Sequence, residues 1–125
     1  MNGKGKANAL GLTIDIKKHR IRIFRSTFRA LGNPENFRIL VNPDSKNLIL
    51  EVCGQDDQGA CRVTHLPESS ISIEMYSRAL IEEFAKCAGI EGCNSVKLLG
   101  SVNADGSAVA FQLKRTGERN VTGRK

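Results

Sequence analysis

Residues 17–52 read KKHRIRIFRSTFRALGNPENFRILVNPDSKNLILEV. Within them, residues 20–24 alternate, with Ile21 and Ile23 on one side and Arg20 and Arg22 on the other. That is the period of a half-buried strand. Ser26 or Thr27 then offers a helix N-cap and Gly32 the residue just past the helix end. Phe28 and Leu31, three apart, face one way, and Pro34 prevents the helix from continuing. Residues 37–41 form the next strand, with Phe37, Ile39 and Val41 inward. The turn NPDSKN follows, and residues 48–52 return as the partner strand. Strand, short helix and hairpin in succession predict an antiparallel sheet with a helix against it.

Upstream, residues 12–17 (LTIDIK) also alternate, and Lys17-Lys18-His19 is short enough for a hairpin turn. The first unit is therefore expected to be a two-stranded ribbon with one apolar and one basic face. Downstream, CGQDDQG at 53–59 reads as a polar loop and residues 60–64 as a short strand. A second helix is expected over roughly 73–88, where Tyr76, Ala79, Leu80, Phe84, Cys87 and Ala88 share a stripe, with Gly89 at its end. Residues 95–102 and 107–113 form a last hairpin around Asn103-Ala104-Asp105-Gly106. The expected order is β-β-α-β-β-(β)-α-β-β, an α+β domain over residues 11–113, with polar basic tails at 1–10 and 114–125. A coarse echo runs through it. Helix, Gly stop, strand, Asn-led turn and strand occur at 26–53 and again at 74–113.

The chain has 125 residues, 40% of them apolar, enough for one core, and that core must come mainly from Ile, Leu and Val because there are only five Phe, one Tyr and no Trp. No apolar run approaches the roughly 18–20 residues of a membrane span. Residues 1–14 lack the apolar region of a secretory signal, so a cytoplasmic chain is expected. Charge is unevenly spread. Residues 1–38 carry nine Lys/Arg against Asp15 and Glu35, residues 39–113 are net acidic, and residues 114–125 are again basic. Clustered cations gain from neutralising phosphates, so the split points to a polyanionic partner.

Chemistry-bearing motifs are few. The only histidines are His19, in the expected turn, and His65, near Pro67, and neither lies in a nucleophile, phosphate-loop or metalloprotease motif. Asp56-Asp57 reads as a solvated acidic turn. The expectation is a binding protein, not an enzyme, with no cofactor. A structural zinc on Cys53, Cys61 and His65, with Cys87 and Cys93, is the alternative, but C-x7-C-x3-H and C-x5-C lack the tight knuckles that fix the thiolate bite. Lys17, Lys18, Arg20, Arg22, Arg25, Arg29 and Arg38 are the candidate contacts to nucleic acid or a nucleoprotein partner. A ribbon with a basic outer face has the width to enter a major groove or lie along a phosphate backbone, and the first helix adds N–H donors.

Residues 20–52 resemble the swapped-hairpin AbrB-type DNA-binding domain: Ile21-Arg22-Ile23, a helix ending at Leu31-Gly32, then the hairpin from Phe37 to Val52. The family usually places Pro after the I-x-I strand, where Phe24-Arg25 stand here. The resemblance implies dimerisation by exchange of hairpins, with a homodimer as one expectation, and DNA binding through basic residues. Over its whole length the chain is similar to small proteins of phages and mobile elements, through Ile21–Ile23, Ala30–Pro34, Leu40–Pro43 and Tyr76-Ser77. That similarity implies either nucleic-acid binding or, alternatively, anti-CRISPR-type inhibition of a host defence nuclease by stoichiometric protein binding.

Overall fold

The computed structural model describes residues 10–63 and 71–113. Eight strands and two helices follow one another in those segments. They are β1 (Leu10–Asp15), β2 (Arg20–Phe24), α1 (Arg25–Ala30), β3 (Asn36–Asn42), β4 (Asn47–Val52), β5 (Cys61–Arg62), β6 (Ser72–Tyr76), α2 (Arg78–Ala88), β7 (Ser95–Val102) and β8 (Ala108–Leu113). All eight strands join one antiparallel sheet in the order β5-β3-β4-β8-β7-β1-β2-β6, curled into a half-barrel. The class is α+β, with the strands dominant.

Alternation makes the sheet two-sided. Leu12, Ile14, Ile21, Ile23, Phe37, Leu48, Leu50, Leu98, Val109 and Phe111 point to the inside of the curl and are almost completely buried. Each such side chain contributes about 1.5–3 kcal/mol through removal from water, and together they outweigh every polar contact on the other face. The helices lie at the two ends of the strands. α1 continues from β2 and buries Phe28, whose ring meets Phe37 edge-on at 5.2 Å, and Leu31 just beyond its end is buried as well. α2 follows β6 at the opposite end and buries Ile81, Phe84 and Ala85.

Several boundaries differ from the expectation; the first strand ends at Asp15, not at residue 17, so Ile16 and Lys17 fall in the turn. Residues 72–76 are a strand, not the first turns of the second helix: Ile73 and Met75 alternate inward against Ile23 and Ile21 of β2. Helix α2 begins only after Ser77, whose hydroxyl accepts the Leu80 N–H at 3.3 Å and caps it. Tyr76, expected on the apolar stripe, is therefore 65% exposed on the strand. For α1, neither Ser26 nor Thr27 is the cap. The helix starts directly out of β2 with Phe24 in the cap position and no side-chain cap bond. Leu10 belongs to β1 and to the core, so the described domain starts one residue before the expected limit, while the remaining tail residues lie outside the described segments.

The echo seen in the sequence is structural. β1-β2-α1-β3-β4 and β5-β6-α2-β7-β8 are two runs of the same element order. Both helices end at a glycine in the left-handed region, Gly32 (φ 81) and Gly89 (φ 73). Both following hairpins turn on an asparagine whose Oδ1 accepts turn amides, Asn42 from Asp44 and Ser45, Asn103 from Ser107 and Ala108. The two halves are interleaved. The β3–β4 hairpin of the first sits between β5 and β8 of the second, and the β7–β8 hairpin of the second sits between β4 and β1 of the first. Equivalent strands meet twice across an approximate two-fold axis, with Arg22 opposite Glu74 on β2–β6 and Ile49 opposite Ala110 on β4–β8.

Candidate functional site

The outer, convex face of β7-β1-β2-β6 gathers the cations. Lys97, Thr13, Arg22 and Glu74 form one row across the four strands, and Ser95, Asp15, Arg20 and Tyr76 form the next. The turn after Asp15 carries Lys17 and Lys18, both exposed, beside the second row. His19 closes the turn in the left-handed region (φ 55) and its carbonyl accepts the Ser77 N–H at 3.1 Å.

Carboxylates hold the arginines of this face. Arg22 donates Nε and Nη2 to Oε2 of Glu74 at 3.0 and 2.7 Å, and Arg20 donates Nη2 to Oδ2 of Asp15 at 3.3 Å. Such partly exposed pairs contribute at most about 1 kcal/mol each, but they fix the guanidinium planes over the sheet. Lys17, Lys18 and Lys97 make no ion pair among the described residues, and Lys97 Nζ stands 5.9 Å from the centre of the Phe24 ring. Three ammonium groups thus carry the available charge of the face, and two arginines carry oriented donors. Lys97 escapes a sequence reading. Its position on the polar side of residues 95–102 is legible, but the pairing of β7 with β1 that brings it beside Arg22 is not.

The other expected contacts lie elsewhere. Arg25 opens α1, its N–H donating to the Ile71 carbonyl at 2.8 Å, and Arg29 is exposed in the last turn of the same helix, at the end of β2 remote from Lys17 and Lys18. Arg38 is five strands away from Arg22, on the order of 20 Å around the curl. Its Nε donates to Glu51 at 2.6 Å and its Nη1 to the Gln58 carbonyl, and the Glu51 bond pushes its pKa further above the ordinary arginine value. The seven candidates therefore form one group of four, a pair on α1 and Arg38 alone.

Two expectations about geometry are corrected. The β1–β2 ribbon is no free-standing finger, because β7 bonds the outer edge of β1 and β6 that of β2, so it cannot enter a groove by itself. Helix α1 is only six residues long and its first amide already bonds the Ile71 carbonyl, so that N–H is not among the donors it offers.

A cleft of about 380 Å³ lies between the β1–β2 turn and α2, lined by Ile16, His19, Glu82, Ala85, Lys86 and Glu91. His19 Nε2 stands 3.7 Å from Glu82 there, and the lining offers neither a hydroxyl nor a thiol side chain. Among the described residues no three His, Cys, Asp or Glu side chains are arranged to hold a metal ion. Cys53, Cys61 and Cys87 are half-buried free thiols and Cys93 is exposed, while His65, needed for the zinc alternative, lies outside the described residues. Burial, and secondarily the neighbouring Cys53, pushes the Cys61 thiol up.

Comparison with known proteins finds no matching family model, no matching curated protein and no matching solved structure. The site is therefore read from its own chemistry. No helix among the described residues is long and apolar enough to cross a membrane. Beyond the cations, the outer face also exposes Leu40 (43%) and Leu99 (46%), with Ile49 half-buried between β3 and β8.

Proposed function

We propose that this chain is a non-catalytic binding protein that contacts nucleic acid, free or within a nucleoprotein, through the outer face of β7-β1-β2-β6 and the adjoining turn. One observation carries the reading. Lys17, Lys18, Lys97, Arg20 and Arg22 share one face of four adjacent strands and its adjoining turn, with Asp15 and Glu74 the carboxylates within that face. The lysines meet backbone phosphates as mobile point charges, while the arginines, oriented by their carboxylates, offer remaining N–H donors. The convex sheet lies along a backbone and does not enter a groove, so the contact reads phosphates more than base edges.

Three uncompensated ammonium groups set the expected salt response, a slope of about −2.7 in log affinity against log salt on duplex DNA. A mobility-shift series in salt measures it. Absence of binding to every duplex and single strand near physiological salt removes the proposal.

A second reading rests on a different observation, the apolar side chains Leu40 and Leu99 exposed on the same outer face. A stoichiometric inhibitor of a defence nuclease, encoded by a phage or mobile element, would use such anchors beside the arginines. Pull-down of a candidate effector with and without its guide and target separates the two. Capture that survives removal of nucleic acid supports inhibition, and capture that requires it supports the first reading.

A further inference from the structure

Within each half, the strand before the helix has its own place in the sheet, but the two places are not filled alike. β2 is hydrogen-bonded on both edges, by β1 and by β6. Among the described residues its counterpart β6 is bonded on one edge only, and β5, two residues long, pairs with β3. The Ile71 carbonyl accepts the Arg25 N–H and the Ser77 N–H donates to His19, so residues 71, 73, 75 and 77 turn their backbone groups toward β2. The amides and carbonyls of Ser72, Glu74 and Tyr76 therefore face the other way. Among the described residues no strand meets them.

β6 itself carries none of the usual side-chain protections of such an edge. β6 contains neither lysine nor proline, and its one charge, Glu74, is held by Arg22. The two most exposed large apolar side chains among the described residues, Ile71 (77%) and Tyr76 (65%), stand at its two ends.

We propose that β6 pairs antiparallel with β6 of a second copy of this chain, making a two-fold dimer with one continuous sheet. The register that suits both faces sets Ser72 against Glu74 of the second copy. On the outer face it keeps the two Glu74 carboxylates from lying directly opposite one another and gives each a serine hydroxyl. On the core face it sets Ile73 against Ile73 and Ile71 against Met75, covering the most exposed apolar group of the strand. Ser72 and Glu74 become hydrogen-bonded pairs that exchange both backbone bonds. The interface is self-complementary, as two-fold symmetry requires.

The test uses the full chain and two readouts. Sedimentation over a concentration series should show the mass rising from 13.6 kDa toward twice that value. Ser72→Pro removes an N–H that bonds nothing among the described residues and is tolerated on an edge, so this variant should keep the melting temperature of the dilute, monomeric wild-type chain and stay monomeric. Hydrogen exchange should show the Ser72 and Glu74 amides protected only where the dimer is populated. A wild-type chain that remains monomeric throughout overturns the proposal. So does a Ser72→Pro variant that still dimerises, or edge amides protected equally at every concentration, which would mean that the chain covers its own edge. Pairing by another protein's strand would appear as protection that depends on that protein and not on self-concentration, and it also overturns the proposal.

Discussion

The first half of the chain, β1 to β4, and the second, β5 to β8, share an element order, a glycine-stopped helix and an asparagine-led hairpin, yet they present different chemistry where they meet. Arg22 faces Glu74 across the approximate two-fold axis on the outer surface, and the arginine-bearing α1 has as its counterpart the longer α2 with Glu82 and Glu83. Two identical chains joined at this axis would set arginine against arginine. Joined in one chain, the halves can differ, and the junction becomes an ion pair. Volume is exchanged in the same way. Counted from the turns, Ile39 opposite Leu50 in the first hairpin corresponds to Gly100 opposite Phe111 in the second, two aliphatic side chains in one and a ring over a bare backbone in the other. The lesson is that an interleaved fold couples its halves through matched differences.

The strongest way to break this coupling is at the β4–β8 seam. Phe111 is fully buried, opposite Leu48 on one side and Gly100 on the other. Phe111→Ala should cost about 3–5 kcal/mol in urea unfolding, with both halves still lost in one transition. Two separate transitions would show that the halves are not coupled. Gly100→Ala tests the exchanged volume. A Cβ there would come within 2.8 Å of Phe111 and Val109, and the expected loss is about 1–3 kcal/mol from overpacking. A neutral result would mean that the ring shifts freely.

In the first half, Thr27 is completely buried and its hydroxyl has no hydrogen-bond partner among the described residues. Thr27→Val removes that unmet group at nearly constant volume and should raise the unfolding free energy by about 1 kcal/mol. A loss of stability would point to a partner that the static structure does not hold.

The smallest expected effect lies in the second half's turn. Hydrogen bonds from the Ser107 hydroxyl and amide hold the Asp105 carboxyl below its ordinary value of 3.8. A depressed folded-state pKa stabilises fully above the ordinary carboxylate range and loses that contribution as pH falls through the folded value. The turn at 103–107 should therefore hold its amide protection at neutral pH and lose it only in acid, after ordinary carboxylates have protonated. Protection lost in step with those carboxylates would contradict it.

Much of this was readable beforehand, and what was not has physical causes. Alternation within 20–24 and 37–41 is local, so those strands and the inward residues Ile21, Ile23 and Phe37 follow from the sequence, as does the apolar strand at 48–52. The Arg38–Glu51 and Asp15–Arg20 pairs follow from hairpin register once the turns are placed. The strand β6 did not follow, because Tyr76, Leu80 and Phe84 are spaced by four and imitate a helical stripe, while Ile73 and Met75 supply only two alternations. Losing β6 also hid Glu74, and with it the reason Arg22 is not a free cation. The order of strands could not be read at all, since β4–β8 and β7–β1 join residues far apart in sequence. That order decides that the basic ribbon lies inside a sheet and that Lys97 joins it.

Lys17, Lys18 and Lys97, which make no ion pair among the described residues, are proposed to carry the polyanion contact, and not the seven cations of the sequence pattern. Binding of a labelled DNA duplex across a salt series tests it directly, with the wild-type chain compared against the Lys17→Ala, Lys18→Ala, Lys97→Ala triple variant and against Arg38→Ala. The account predicts that the triple variant loses most of its affinity and that its salt slope falls from about −2.7 toward zero, while Arg38→Ala behaves as wild type. A triple variant with unchanged slope, or an Arg38→Ala variant that alone abolishes binding, would contradict it.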